Sequence, residues 1–132
     1  MLYLEILGII PRKSRYESIK MVSKNLMAAS TKPLILTILD RGEMYGYQII
    51  QNVIQLSGGT LEWSEGMLYP VLHRMEKENF IRSQWKISTN GRRRKYYHLT
   101  ELGKKELEKE RNQWMKVHKM LSKLWALTPS FD

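Results

Sequence analysis

Two groups of residues have the types and spacing to engage a polyanion. The first is an unbroken run of cations, Arg92, Arg93, Arg94 and Lys95, directly after Asn90-Gly91. The second is Tyr69, His73, Arg74 and Lys77, recurring at helical steps. Guanidinium and ammonium groups make charge-assisted bonds to phosphate oxygens. Arginine and histidine can also reach base edges in a major groove. Covalent chemistry finds no comparable support. His73, His98 and His118 fall at no metal-ligand spacing, and the chain has no cysteine. There is no G-x-S-x-G, no phosphate-binding glycine loop and no carboxylate pair in an apolar context. An enzyme is not expected, and neither is a metal or a cofactor.

The elements that would position these groups follow from pattern. Ser64 is placed to cap a helix, and Glu65 sits in its first turn, where the dipole favours an anion. Leu68, Val71, Leu72 and Met75 form one apolar stripe, opposite Tyr69, His73, Arg74 and Lys77. Such a helix suits the second helix of a helix-turn-helix, although an ordinary amphipathic surface helix has the same pattern. Two β-like runs follow, Phe80 to Ile87 and Arg94 to Leu99, joined through Asn90-Gly91, a strong hairpin signal. The cations from Arg92 to Lys95 would then crowd the hairpin tip. A solvated basic loop is the plain alternative, but nothing inside the loop offsets their repulsion, whereas a phosphate backbone would, through counterion release.

Upstream, Lys24 to Arg41 reads as a helix with Leu34, Ile35, Ile38 and Leu39 on its apolar face. Pro33 is disruptive inside a helix, so Thr31 is expected to cap the firm part, with Met21 to Ala29 a separate or kinked turn and Gly42 the C-cap. Met44 to Leu56 reads as the second helix, broken by Ser57, Gly58 and Gly59. Thr60 to Glu62 fits a strand fragment or an extended turn. Tyr45 and Tyr47 divide between a core aromatic and a phosphate-contacting hydroxyl. Helix, helix, helix, hairpin is the order of a winged helix, a mainly α fold with a small β-hairpin.

Thr100 to Leu127 reads as one long helix capped by Thr100, with Gly103 an unhelpful residue in its first turn. Leu107, Trp114 and Leu121 are seven apart, with Val117 and Leu124 between them, a seam like that of a coiled coil. A second copy of the chain is the expected cover; packing on the first helix is the alternative. A two-fold dimer would place two reading helices about 34–36 Å apart on a pseudo-palindromic operator in double-stranded DNA. Residues 1–20 are read as an N-terminal arm, or as an upstream extension with Met21 the working start. Residues 21–99 form the winged-helix domain, 100–127 the dimerisation helix and 128–132 a tail, with Pro129 ending the structure.

Bulk properties agree. The chain has 132 residues and a formal net charge of +9, which fits one domain and a polyanionic partner, nucleic acid first and an anionic membrane surface second. Met1 to Ile10 is too short to span a bilayer and lacks the flanks of a signal peptide, so no membrane insertion is expected. A cytoplasmic location is expected, since the absence of cysteine is compatible with a reducing compartment.

Three stretches together resemble the PadR-type transcriptional regulators: Met44 to Ile49 (MYGYQI), Ser64 to Glu76 (SEGMLYPVLHRME) and Gly91 to Gly103 (GRRRKYYHLTELG). The resemblance spans about Leu34 to Trp125. It implies a homodimeric winged-helix repressor. It implies that Ser64, Gly66, Tyr69, Pro70 and Arg74 belong to the DNA-facing part of the reading helix, that Arg92 to Lys95 form the wing contact, and that Tyr45 and Tyr47 lie near the DNA backbone. The short C-terminal region is similar to the small subfamily with one long dimerisation helix. In its members that regulate multidrug export, a tryptophan corresponding to Trp114 lines a cavity between protomers where flat aromatic drugs stack. Trp114 is therefore either a seam anchor or a platform for a small aromatic effector. His118, one turn on, would lie beside it and is read as no pH sensor. The rival reading of the whole is a winged helix used for protein contact, its basic tip meeting an acidic partner.

Overall fold

The computed structural model describes residues 22–127. Residues 1–21 and the tail 128–132 lie outside them, and with them the expectations for the arm, for Met21 and for Pro129. The elements run α1 (Lys24–Asp40), β1 (Met44–Tyr45), α2 (Gly46–Leu56), α3 (Glu65–Lys77), β2 (Ile81–Ile87), β3 (Arg93–Leu99) and α4 (Glu101–Leu127). The fold is mainly helical with a small antiparallel sheet and a long C-terminal helix, as its sequence pattern implies.

α1 departs from expectation by being continuous through Pro33. Its cap is Ser23, whose Oγ accepts from the Leu26 N–H at 3.2 Å. Thr31 caps nothing: it is buried, and its hydroxyl donates to Met27 O one turn back at 2.7 Å. An interior proline costs about 3 kcal/mol or more. Burial of Ile35, Leu36, Ile38 and Leu39 on the same helix is large enough to offset it, at about 1.5–3 kcal/mol per side chain. Arg41 takes the C-cap position, and Gly42 follows it at φ +152°.

The second helix also starts later than its pattern suggested. Met44 and Tyr45 pair with Tyr97 and Tyr96 as a short third strand, giving the sheet order β1-β3-β2. Extended backbone at Tyr45 then lets its N–H take the Gln48 Oε1 at 3.1 Å, closing the start of α2. Thr60 to Glu62 is the extended turn, tied down by Leu61 N–H donating to Ser57 Oγ at 3.0 Å.

α3 begins where Ser64 accepts the Met67 N–H at 3.2 Å and ends in a left-handed turn at Asn79, φ +65°. The Phe80 N–H donates to Met75 O and the Asn79 N–H to Glu76 O, a Schellman closure. Leu68, Leu72 and Met75 enter one core with Ile35, Leu36, Ile49, Val53, Trp63, Ile81, Tyr97 and Leu107.

The base of α4 belongs to that core. Thr100 Oγ1 accepts the Gly103 N–H at 2.9 Å and donates to Asn79 O at 2.6 Å. Gly103 is not a weakness there. A Cβ at that position would stand 2.0 Å from Phe80 O, so only glycine lets the helix meet the backbone before β2. Lys32 of α1 pairs with Glu106 and, at 3.5 Å, with Glu110. Burial pulls the Lys32 ammonium pKa down, but the two carboxylates outweigh it and leave the pKa raised.

Candidate nucleic-acid interface

The exposed side of α3 carries Ser64, Gly66, Tyr69, Pro70, His73, Arg74 and Lys77. Tyr69, His73 and Lys77 follow one another at single-turn steps on one flank. Arg74 lies round the helix, lining a depression with Lys24, Met27, Thr31, Met67 and Val71 against α1. The structure therefore separates Arg74 from Tyr69 rather than joining them in one patch.

Tyr69 instead faces the sheet. A groove of about 440 Å³ is lined by Tyr45, Gly46, Tyr47, Glu65, Tyr69, Trp85, Arg93, Arg94, Lys95 and Tyr97. It joins the start of α2, the first half of α3 and the wing. Gly46 matters to its shape: a Cβ there would stand 2.6 Å from the Tyr69 hydroxyl oxygen, so the phenol lies directly on the bare backbone of α2. Burial, then the Glu65 charge, raises the Tyr69 pKa. Tyr97, at the floor, is pushed up to about 12 by burial, then by Glu76 and Tyr69.

The wing differs from its expected form. The loop is three residues, Thr89 to Gly91, closed by the Ser88 N–H on Arg92 O at 2.7 Å, and only Gly91 in it takes a positive φ, +82°. The cations do not crowd a tip. Arg92 sits beside the turn, while Arg93, Arg94 and Lys95 are strand residues of β3. Their repulsion is offset internally. The Arg93 guanidinium lies 4.9 Å from the Trp85 ring centre and that of Arg94 lies 4.2 Å from Tyr45. Lys95 is 3.5 Å from Glu76 and 5.6 Å from the Tyr97 ring. Cation–π contacts of this kind are worth about 0.5–1 kcal/mol at exposed sites and fix direction as well. Tyr45 is half-buried between Arg94 and Tyr96, whose ring meets it edge-on at 5.4 Å. Tyr47 is exposed.

Sequence reasoning missed Trp85, Gly46 and Glu76. Trp85 is 55% exposed and lines the groove, and Ile87 beside the turn is more exposed still. The strand period was the available signal for Trp85: it stands four residues from buried Ile81 and so shares its face.

An exposed helix face and a two-stranded cationic wing are joined by a groove of tyrosines, so cations and hydroxyl donors share one surface. The family described as Transcriptional regulator PadR-like family matches residues 35–109, spanning α2, α3, the wing and the base of α4. The chain belongs to the PadR-like transcriptional regulator family. It is a DNA-binding regulator and not an enzyme. A PadR-like transcriptional regulator of Bacillus cereus is 32% identical and superposes with a TM-score of 0.70, over 77% of this chain and 97% of that one. A PadR family transcription regulator of Clostridium difficile is 35% identical with a TM-score of 0.64, over 73% and 98%. Among curated relatives, an uncharacterized protein of Lysinibacillus sphaericus is 29% identical over 101 residues, 76% of this chain and 93% of that one. The transcriptional regulator YqjI of Escherichia coli is 32% identical over 80 residues, 61% of this chain but 37% of YqjI. Among the described residues, no helix of this PadR-like chain is long and apolar enough to cross a membrane.

Trp114 is half-buried beside an apolar groove of about 380 Å³ on α1, lined also by Val22, Leu26, Pro33, Leu34 and Leu61. His118 is exposed one turn on. Leu107 departs from the seam expected of it. It is buried in the core, because the first turns of α4 pack on α1 of the same chain. Val117, Leu121 and Leu124 are 52%, 37% and 56% exposed.

Proposed function

We propose that the protein is a homodimeric repressor that binds a pseudo-palindromic operator and is released by a small planar effector at the dimer seam. The observation that carries the DNA reading is the tyrosine- and cation-lined groove between α3 and the wing. His73 and Arg74 read base edges. Tyr45, Tyr47, Tyr69 and Arg92 to Arg94 hold phosphates, with Ser64, Gly66, Pro70 and Lys77 flanking the approach. The dimer reading is supported by the outer turns of α4, where Val117, Leu121 and Trp125 keep large apolar surfaces in water. A helix of 27 residues is about 40 Å long, and its outer part extends past the contact with α1. The effector reading is supported by Trp114 at the edge of the apolar groove on α1, where a flat aromatic molecule can stack. Binding there shifts the spacing of the two reading helices, a coupling of about 1–3 kcal/mol in typical allostery.

The test is a gel-shift titration on DNA from upstream of the protein's own gene, with random duplex as competitor at two salt concentrations. Binding that survives competitor supports a specific regulator, with Trp114 fluorescence then reporting on effectors. Binding abolished by competitor sinks the operator reading and favours a protein-contact module.

A further inference from the structure

Glu76 lies near the end of α3 and is tied to both strands of the wing. Its Oε2 accepts from Ser83 Oγ of β2 at 2.8 Å, and its Oε1 stands 3.5 Å from Lys95 Nζ of β3. Ser83 pairs with Tyr97 and Trp85 with Lys95 across the ladder, so the two tethers grip rungs two residues apart, on the same face of the sheet. Glu76 and Lys95 are each part-buried, and Lys95 also leans on the Tyr97 ring at 5.6 Å. The lysine ammonium is thus turned inward, towards the reading helix. Its neighbours Arg93 and Arg94 lie against aromatic faces rather than on a carboxylate.

We propose that Glu76 is a positioning residue that sets the wing's angle to α3 and withholds Lys95 from the DNA backbone. This rests on the DNA-binding reading and deepens it, because it makes one carboxylate a determinant of specificity. A free lysine in this groove would add a phosphate contact to any duplex, irrespective of sequence. Affinity for random DNA would rise, and the ratio that distinguishes an operator from bulk DNA would fall. A carboxylate holding that lysine suppresses the sequence-independent part of binding and leaves base reading untouched.

The experiment compares the wild-type chain with Glu76→Gln, Lys95→Gln and the double variant, by fluorescence anisotropy on random duplex and on duplex from upstream of the gene. Glutamine keeps an acceptor for Ser83 and removes the charge. Each phosphate contact contributes about 0.9 to the slope of log affinity against log salt, or about three- to four-fold between 50 and 200 mM. Glu76→Gln is expected to steepen that slope by about 0.9, tighten random-duplex binding several-fold and narrow the operator preference. Lys95→Gln alone leaves the wild-type slope, and the double variant returns to it. A shallower slope in Lys95→Gln alone overturns the proposal, since Lys95 would already be on a phosphate, and that variant decides even if Glu76→Gln folds poorly. An unchanged slope in folded Glu76→Gln overturns it too. Wild-type protein with no salt-dependent DNA binding overturns the DNA reading itself, and the Glu76 role with it.

Discussion

Replacing Gly46 with alanine should impair DNA binding far more than stability. The added Cβ would lie 2.6 Å from the Tyr69 hydroxyl oxygen, 2.9 Å from Cζ and 3.0 Å from Cε1, all on the outer edge of one ring. Nothing else lies closer, so the ring swings off α2 while the backbone stays. Tyr69 is already 43% exposed, and its outward movement buries no polar group and opens no core cavity. Alanine is also the better residue in a helix by up to about 1 kcal/mol, which offsets lost packing on the ring. Net stability should therefore change by less than about 1 kcal/mol. Binding is different. A hydrogen bond from a tyrosine to a charged phosphate contributes about 1.5–3 kcal/mol, so displacing the hydroxyl should weaken each half-site about ten- to hundred-fold. The loss should be the same for operator and random duplex, because a phosphate contact carries no sequence information. Tyr69→Phe is the control: it keeps the ring and removes the donor. The assay is anisotropy titration on both duplexes beside a thermal melt. Unchanged affinity in both variants would remove Tyr69 from the interface. A melting temperature that falls with affinity would show that Gly46 is needed by the fold and not by the site.

Three further perturbations separate the wing, the joint and the floor of the groove. Replacing Arg92, Arg93 and Arg94 together with alanine should flatten the salt slope by about 0.9 per lost phosphate contact; an unchanged slope would take the wing out of the mechanism. Gly103→Ala should lower the melting temperature by roughly 5–10 °C, because its Cβ meets the Phe80 carbonyl and not a movable side-chain end, and a neutral melt would show that α4 can slide at its base. The Tyr97 pKa is raised to about 12 from the ordinary 10.0, so the folded state keeps a proton that the unfolded chain loses. That contribution is complete below about pH 10 and is lost as pH rises to about 12. It amounts to about 2–3 kcal/mol. Urea midpoints at pH 9 and 11.5 should converge in Tyr97→Phe relative to wild type, and equal pH dependence in both would refute the burial argument.

Much of this site was legible because its signals are local. Ser64 announces a helix start by its own hydroxyl, and the Asn90-Gly91 turn announces a hairpin. The stripe of Leu68, Leu72 and Met75 announces which face is buried. What escaped was set by contacts distant in sequence. Thr31 looked like a cap beside Pro33, and only burial of Ile35 to Leu39 against other elements keeps that helix whole. Met44 and Tyr45 fit a helical pattern until a strand more than fifty residues on supplies their partners, Tyr97 and Tyr96. The four cations looked mutually repulsive because Trp85, Tyr45 and Glu76, which offset Arg93, Arg94 and Lys95, lie on other elements. Leu107 matched the heptad seam by spacing alone; its burial depends on where α1 lies.

The burial of Leu107 ties the base of α4 to the rest of the core. Phe80 sits where four elements meet. Its N–H closes α3 on Met75, and its carbonyl accepts the Thr100 N–H at 3.1 Å and lies against Gly103 of α4. Its ring lies 4.8 Å under the Lys32 ammonium of α1, itself paired to Glu106 and Glu110 of α4. The contact at Gly103 admits no Cβ, and interiors packed this closely transmit displacement rather than absorb it. Phe80 is therefore held against α4 on one side and covalently joined to the end of α3 through Asn79 on the other. Were α4 a free arm, its outer turns could assemble or bind a ligand without consequence for α3. Rooted through Leu107 and Gly103, it is instead fixed to the core and to the segment that follows α3.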